Sequence, residues 1–308
     1  MKKIIKKIIT IIKKPRTIVI KLMRKGYLKV NDRIFTKIIW RSFFDYPIDL
    51  EKPKTFNEKI QWLKLYNRDK RLIDLVDKYK VKAIVGNLIG DKYIVKNYQV
   101  CDNFDDIDFT TLPNKFVIKC NHDSGGLVIC KDKKNFDIKS ARKKINASLK
   151  RNFYNYSREW QYKNIDKKII VEEYLEDKNN LSLANYKFFC FNGVVKFLSV
   201  SVGLAEHETA TVDFFDRDFK HAPFCRSDYP ESKKKILKPS QFEEMVKISE
   251  KLSADFNFVR VDLYEVNGNI YFSELTFTPC AGFIRFNPKE WDLKIGEMLS
   301  LEGIKNEK

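Results

Sequence analysis

Residues 258–277, FVRVDLYEVNGNIYFSELTF, decide the reading of this chain. Two runs rich in β-branched and aromatic residues flank Asn267-Gly268. That dipeptide favours the two-residue turn of a β-hairpin, because both positions tolerate positive φ. Residues two apart on a strand share a face. Arg260 and Asp262 therefore sit together on the first strand, and Glu274 and Thr276 on the second. The tight turn sets the strands side by side, so a guanidinium, two carboxylates and a hydroxyl are expected to converge. Carboxylates so placed suit Mg²⁺, which takes oxygen ligands and shares them with phosphates. The arginine suits a transferring phosphoryl group or a developing oxyanion. The plainer alternative is the solvated polar face of an antiparallel hairpin.

Upstream, residues 186–202 (YKFFCFNGVVKFLSVSV) predict another hairpin, turning at Asn192-Gly193. Residues 242–256 predict a helix. Residues 167–175 (KKIIVEEYL) predict a strand, whose Glu172 and Glu173 could present backbone groups to an adenine edge. Residues 115–121 (KFVIKCN) predict a short strand running into the turn NHDSGG, with LVICKD as the strand beyond. A lysine at a strand end, Lys119, followed by Ser124, Gly125 and Gly126, can cradle phosphates through backbone N–H groups. No G-x-x-x-x-G-K-[ST] loop occurs, and a plain hairpin turn explains the glycines equally well. Residues 138–152 predict a basic helix.

Residues 27–112 read as mainly helical. Phe56, Ile60, Leu63, Leu72, Leu75 and Val76 fall near one helical face, and Thr55 with Glu58 makes a capping box. Residues 91–100 approach a strand, and DNFDDIDFTTLP is a loop. The first 25 residues stand apart. Ile4, Ile5, Ile8, Ile9 and Ile12 recur at helical spacing among Lys2, Lys3, Lys6, Lys7, Lys13 and Lys14, with a break at Pro15. This basic amphipathic pattern suits an anionic inner leaflet, or an ordinary surface helix. Lysines interrupt its apolar run and no small-residue cleavage site follows, which argues against a signal peptide.

Composition bounds the rest. With 308 residues, 44% of them hydrophobic, a sizeable core is available. No run of 18 apolar residues suggests a membrane-spanning helix. A formal charge of +18 favours an anionic partner or reflects a lysine-rich, AT-biased proteome. The six cysteines form no C-x-x-C pair, which argues against zinc and disulfides and fits a reducing cytoplasm. Asp106/Asp108 and Asp216/Asp218 match D-x-D, a pattern that holds nucleotide-sugar diphosphates in glycosyltransferases and arises often by chance. Of the histidines, His122 lies in the glycine turn, while His207 and His221 read as surface residues. Residues 151–164 (RNFYNYSREWQYKN) could stack on bases or sugars, or simply pack a helix. No nucleic-acid module is visible, and no nucleic-acid partner is expected.

Taken in order, the lysine with its glycine turn, then E-E-x-L, then R-x-D with E-x-T, resemble the ATP-grasp superfamily. The nearest resemblance is to the TupA-like ATP-grasp family, associated with teichuronopeptide and other bacterial surface-polysaccharide synthesis. KTFNEKIQWLKLY, DKYKVKAIV, LPNKFVIKCNHDSGG, REWQYKNI, IIVEEYLED, YKFFCFNG and FVRVDLYEVNGNIYFSELTFTPCAGF carry it. The resemblance implies an α+β, ATP-grasp fold: two lobes with ATP between them, after a mainly helical N-terminal region. The expected division is 1–25, 26–112 and 113–308, with lobes meeting near residue 171. By the resemblance, Lys119 contacts phosphate and Ser124, Gly125 and Gly126 close over it. Glu172, Glu173 and Leu175 hold adenine. Lys187 offers charge from the second lobe, Asp262, Glu274 and Thr276 serve Mg²⁺, and Arg260 steadies the acyl phosphate. Thr276 stands where many ATP-grasp enzymes have Asn, and Asn185 where an acidic residue contacts ribose. The implied reaction is ligation of a carboxylated sugar or polysaccharide to an amino acid, with ATP and Mg²⁺. The alternative in the same pathway is a glycosyltransferase.

Overall fold

A computed structural model describes residues 15–177, 183–203 and 210–304. Two antiparallel sheets organise them. The first has the order β1-β4-β2-β3, from Asn97–Cys101 (β1), Phe116–Cys120 (β2), Leu127–Cys130 (β3) and Ile169–Glu173 (β4). The second has the order β10-β9-β5-β6-β7, from Asn185–Phe191 (β5), Val194–Val202 (β6), Thr211–Asp216 (β7), Phe258–Val266 (β9) and Asn269–Thr276 (β10). A two-residue ladder joins Cys225–Arg226 (β8) to Phe286–Asn287 (β11). The helices are Pro15–Arg24 (α1), Asp32–Phe43 (α2), Phe56–Tyr66 (α3), Arg71–Val76 (α4), Lys80–Ile89 (α5), Ile138–Leu149 (α6), Phe153–Ser157 (α7), Phe242–Ser253 (α8) and Trp291–Met298 (α9).

Both Asn-Gly turns form as expected, with Asn192, Gly193, Asn267 and Gly268 all at positive φ. That is the geometry a right-twisted hairpin needs at its two central residues. The first sheet takes its edge strand from β1, which pairs with β4, and β4 itself straddles residue 171. Phe104, Ile107 and Leu112 pack into the core of this sheet with Phe116, Ile118 and Ile145. The mainly helical stretch holds α2, α3, α4 and α5, with α3 and α4 separated at residues 67–70.

Helix α3 shows how the sequence joins the N-terminal region to the second sheet. Thr55 Oγ1 accepts from Glu58 N at 3.2 Å and Glu58 Oε2 accepts from Thr55 N at 3.1 Å, closing the expected capping box. Phe56 and Ile60 enter an aromatic cluster with Phe189, Phe191 and Phe258. Asn57, Gln61 and Lys64 form a second, polar and buried stripe. Asn57 exchanges two hydrogen bonds with the backbone of Ile284, at 2.7 and 2.8 Å. Gln61 Nε2 donates to Ala281 O and Gly282 O, and Lys64 Nζ donates to Ala281 O. The loop so gripped follows β10 directly. Gly282 is required there: its φ is +74°, and a Cβ would meet Gln61 Nε2 at 2.7 Å.

Burial pulls the Lys64 ammonium down to about 8. The unfolded chain keeps that proton to about 10.4, so between these values it binds more protons than the folded chain. Stability should therefore rise as pH climbs from 8 towards 10, beyond the change from other groups. Denaturant melts at pH 8 and 10, for wild type and Lys64→Met, check this. Parallel profiles would exclude the account.

Candidate active site

The second sheet gathers one compact cluster. β9 and β10 pair without interruption from the turn to Phe272 opposite Leu263. Continued unbroken, that register would set Glu274 opposite Val261, on the wrong face. A β-bulge between Phe272 and Glu274 shifts the pairing by one residue. Glu274 then stands opposite Asp262 and Thr276 opposite Arg260. A one-residue slip turns every later side chain over, and here it aims both at the site. β5 lies on the other side of β9 and sets Lys187 opposite Asp262.

The contacts are close. Arg260 Nε and Nη2 donate to the two oxygens of Asp262 at 2.6 and 2.7 Å. Lys187 Nζ donates to Asp262 Oδ2 at 3.1 Å. Arg260 Nη2 also reaches Glu274 Oε1 at 3.2 Å and Thr276 Oγ1 at 3.0 Å, and the threonine hydroxyl donates to Glu274 Oε1 at 3.1 Å. The Asp262 side chain is fully buried, whereas 35% of the Glu274 side chain stays open to solvent. Burial pushes the Glu274 carboxyl up, but Lys78, Arg260 and Lys187 outweigh it and hold the group down at about 2. Glu274 is thus ionised and partly accessible to solvent. Arg260 is held protonated by its carboxylates against the opposing effect of burial.

The first sheet carries a second cluster. Lys119 Nζ meets Glu172 Oε1 at 2.5 Å, and Lys82 Nζ meets Glu172 Oε2 at 2.7 Å. Burial would raise the Glu172 carboxyl, but the two lysines together keep it low. Lys82 is lowered by its own burial, with Lys119 as a like charge beside it. Two cations share one anion here, leaving a net positive charge. Tyr264 on β9 is raised to about 12, by burial first and then by Glu274, Asp262 and Glu172. It stands in the field of carboxylates from both sheets.

The other expected residues are placed less centrally. Ser124 and Gly125 are exposed, and Gly126 is buried, with Ser148 Oγ only 2.1 Å from where a Cβ would sit. Glu173 is half-buried and its amide donates to Lys96 O at 2.9 Å; Leu175 lies half-buried beyond the strand end. Asn185 donates to Tyr264 Oη at 3.2 Å, while its Oδ1 is buried without a partner. His122 is buried with neither ring nitrogen bonded, and burial lowers its affinity for a second proton. His207 lies outside the described residues. Both D-x-D pairs serve turns. Asp106 accepts from Asn103 N, Asp108 from Thr110 N, and Asp216 from Asp218 N and Lys220 N.

Two lysines at the centre were not singled out from sequence. Lys78 Nζ donates to Asp123 O at 2.8 Å, tying the glycine turn to the start of α5, and its charge acts on Glu274. Lys82 follows one helical turn later. Their spacing of four places both on one face of the helix approach. Among 59 basic residues that spacing alone is no signal.

Two lobes of antiparallel sheet facing each other across lysines and carboxylates define an ATP-grasp protein. More narrowly, the model of the TupA-like ATPgrasp family matches residues 58–300, and the chain belongs to that family. No curated protein matches the sequence. Among solved structures, an L-amino acid ligase from Bacillus licheniformis is similar at a TM-score of 0.47 and 12% identity, covering 90% of this chain and 63% of that one. D-alanine-D-alanine ligase from Helicobacter pylori gives 0.41 and 15%, covering 79% and 68%. N5-carboxyaminoimidazole synthetase from Staphylococcus aureus gives 0.35 and 14%, covering 66% and 44%. The chain thus spans between 44% and 68% of the length of these three proteins. The family assignment rests on the family match.

Proposed function

We propose that this protein is an ATP- and Mg²⁺-dependent ligase joining a carboxylate to an amine, in bacterial surface-polysaccharide synthesis. The observation that carries the proposal is the bulge-made cluster of Lys187, Arg260, Asp262, Glu274 and Thr276, set across from Lys119, Glu172 and Lys82. The residues fit the ligands. Glu274 is an ionised carboxylate open to solvent, beside a second carboxylate, as a hard divalent cation requires. The unpartnered Asn185 Oδ1 suits a hydroxyl or amino donor of a nucleoside.

Asp262 and Glu274 would hold Mg²⁺, which neutralises the charge of the phosphates it touches. Thr276 orients Glu274 through its hydroxyl. Lys119 and Lys187 offer positive charge from opposite lobes, and the turn at Ser124, Gly125 and Gly126 closes over phosphate. The backbone near Glu172, Glu173 and Leu175 takes the adenine edge. A substrate carboxylate attacks the γ-phosphorus, ADP leaves, and an acyl phosphate remains. Arg260 and Lys187 stabilise the charge on the transferring group. An amine then displaces phosphate and gives the amide. A carboxylated sugar as acyl donor and an amino acid as amine are the substrates the family suggests.

Full-length protein titrated with Mg²⁺-ATP, Mg²⁺-ADP and UDP-sugars in a thermal-shift assay tests this reading. Ligand at about 100 times its dissociation constant stabilises by about 2.7 kcal/mol. A shift with ATP that requires Mg²⁺ is expected. A shift with UDP-sugars alone would overturn the ligase reading and restore the glycosyltransferase, for which both D-x-D pairs now have structural roles.

We also infer peripheral contact with anionic membrane. No described helix is long and apolar enough to cross one. Ile34, Lys37 and Arg41 share an exposed face of α2, and Lys25, Tyr27, Leu28 and Lys29 are exposed beside it. Residues 1–14 lie outside the described residues. Flotation with phosphatidylglycerol vesicles should fall when Lys25, Lys29, Lys37 and Arg41 become Glu. Unchanged flotation removes this surface as the contact.

A further inference from the structure

The edge strand β7 and the loops after it carry three groups that the nucleotide site does not use. Asp213 lies on β7, His221 follows the turn at residues 216–220, and Glu231 lies in the next loop. One ligand atom from each falls within 4.8 Å of the others. His221 Nε2 is 3.2 Å from Glu231 Oε1 and 3.8 Å from Asp213 Oδ1.

The imidazole tautomer makes this arrangement informative. His221 Nδ1 is 3.1 Å from Ala222 O. A carbonyl only accepts, so Nδ1 carries the hydrogen, and in the neutral ring Nε2 presents a lone pair. Three electron-rich atoms then face one another, and a bound cation or a proton on Nε2 relieves the repulsion. Asp213 adds an independent reason. The residue is 4% exposed. Among the described residues no lysine or arginine pairs with it, and its salt-bridge partner is His221.

We propose that Asp213, His221 and Glu231 form a site for a divalent transition-metal ion of the Zn²⁺ or Mn²⁺ class, fastening residues 217–231 to the edge of the second sheet. Two carboxylates neutralise the dication, and the imidazole selects against Mg²⁺ and Ca²⁺. Ligand atoms 3.2 to 3.8 Å apart need little adjustment to reach a shared ion. The ligands are themselves held. Ser232 N donates to both oxygens of Asp213 at 3.1 Å, and the His221 ring packs edge-on against Phe215 at 5.5 Å. Metal-binding imidazoles and carboxylates are commonly fixed by such outer contacts. The side chains of His221 and Glu231 are 53% and 41% exposed, which leaves room for water to complete the coordination shell.

Chelator-stripped full-length protein is titrated calorimetrically with ZnCl₂ and with MnCl₂, in excess Mg²⁺ to satisfy the nucleotide site. Binding of one ion per chain is expected, with a visible Co²⁺ spectrum of mixed nitrogen and oxygen ligation. His221→Ala should weaken binding at least about 100-fold, and the surface variant Glu231→Gln about 10-fold. Both should keep the Mg²⁺-ATP thermal shift, and a Glu274→Gln variant should keep metal binding, so the two sites fail separately. Absence of binding by the wild type, or binding that survives His221→Ala, overturns the proposal. A melting temperature that follows pH but not metal would also overturn it, leaving an imidazolium–carboxylate ion pair only.

Discussion

Glu274→Gln should lower Mg²⁺-dependent ADP release at least about 100-fold while leaving the melting temperature within a few degrees of wild type. The substitution keeps shape and removes one negative charge. What that charge does is visible in the surrounding set. Lys78, Arg260 and Lys187 hold the carboxyl ionised at about 2, so it stays anionic through the whole working pH range. Its contacts to Arg260 and Thr276 are hydrogen bonds that an amide can partly keep, and 35% of the side chain faces water. Structural loss is therefore small. A divalent cation, by contrast, loses an anionic oxygen ligand outright. Steady-state ADP release at several Mg²⁺ concentrations distinguishes the two roles. If turnover stays near wild type and Mg²⁺ dependence is unchanged, Glu274 is no metal ligand.

The fold was legible in the sequence where turns and period agreed. The Asn-Gly hairpins are set by local backbone chemistry, and both formed as expected. The capping box at Thr55 and Glu58 is equally local. The site was only half legible. Arg260 with Asp262, and Glu274 with Thr276, were each correctly read as sharing a face. That the two pairs share the same face depends on the bulge between Phe272 and Glu274. Nothing in YFSELT announces that extra residue, and an unbroken register would have sent Glu274 into the core beside Val261. Lys78 and Lys82 were missed for a different reason. Their roles come from tertiary neighbours ninety or more residues away, Glu172 and Glu274, and no spacing encodes that. The same holds for Asp213, His221 and Glu231, which lie too far apart in sequence for a compact metal motif and meet only through the turns after β7.

Asp262→Ala should abolish activity as well, but unlike Glu274→Gln it should also destabilise the fold, by about 3–5 kcal/mol. A solvent-exposed metal ligand would cost turnover far more than stability when removed, but Asp262 is buried. The Asp262 side chain has no exposed surface, and it neutralises two cations: Arg260 through a bidentate pair and Lys187 through a third hydrogen bond. Truncation leaves Arg260 with Glu274 at 3.2 Å and takes from Lys187 its carboxylate. A buried guanidinium stripped of its main partner carries a desolvation cost that solvent cannot repay. For a chain of this length the loss corresponds to a melting temperature lower by roughly 5–10 °C. Inactivity of Asp262→Ala alone would therefore be ambiguous between chemistry and folding. The double variant Arg260→Met, Asp262→Leu separates them. It replaces the buried ion pair by apolar groups of similar size, so it should recover most of the lost stability. It should recover no ADP release, because both the charge that steadies the transferring group and the carboxylate beside Glu274 are gone. A double variant that melts like wild type and still releases ADP would remove this pair from the reaction and leave it a purely structural bridge.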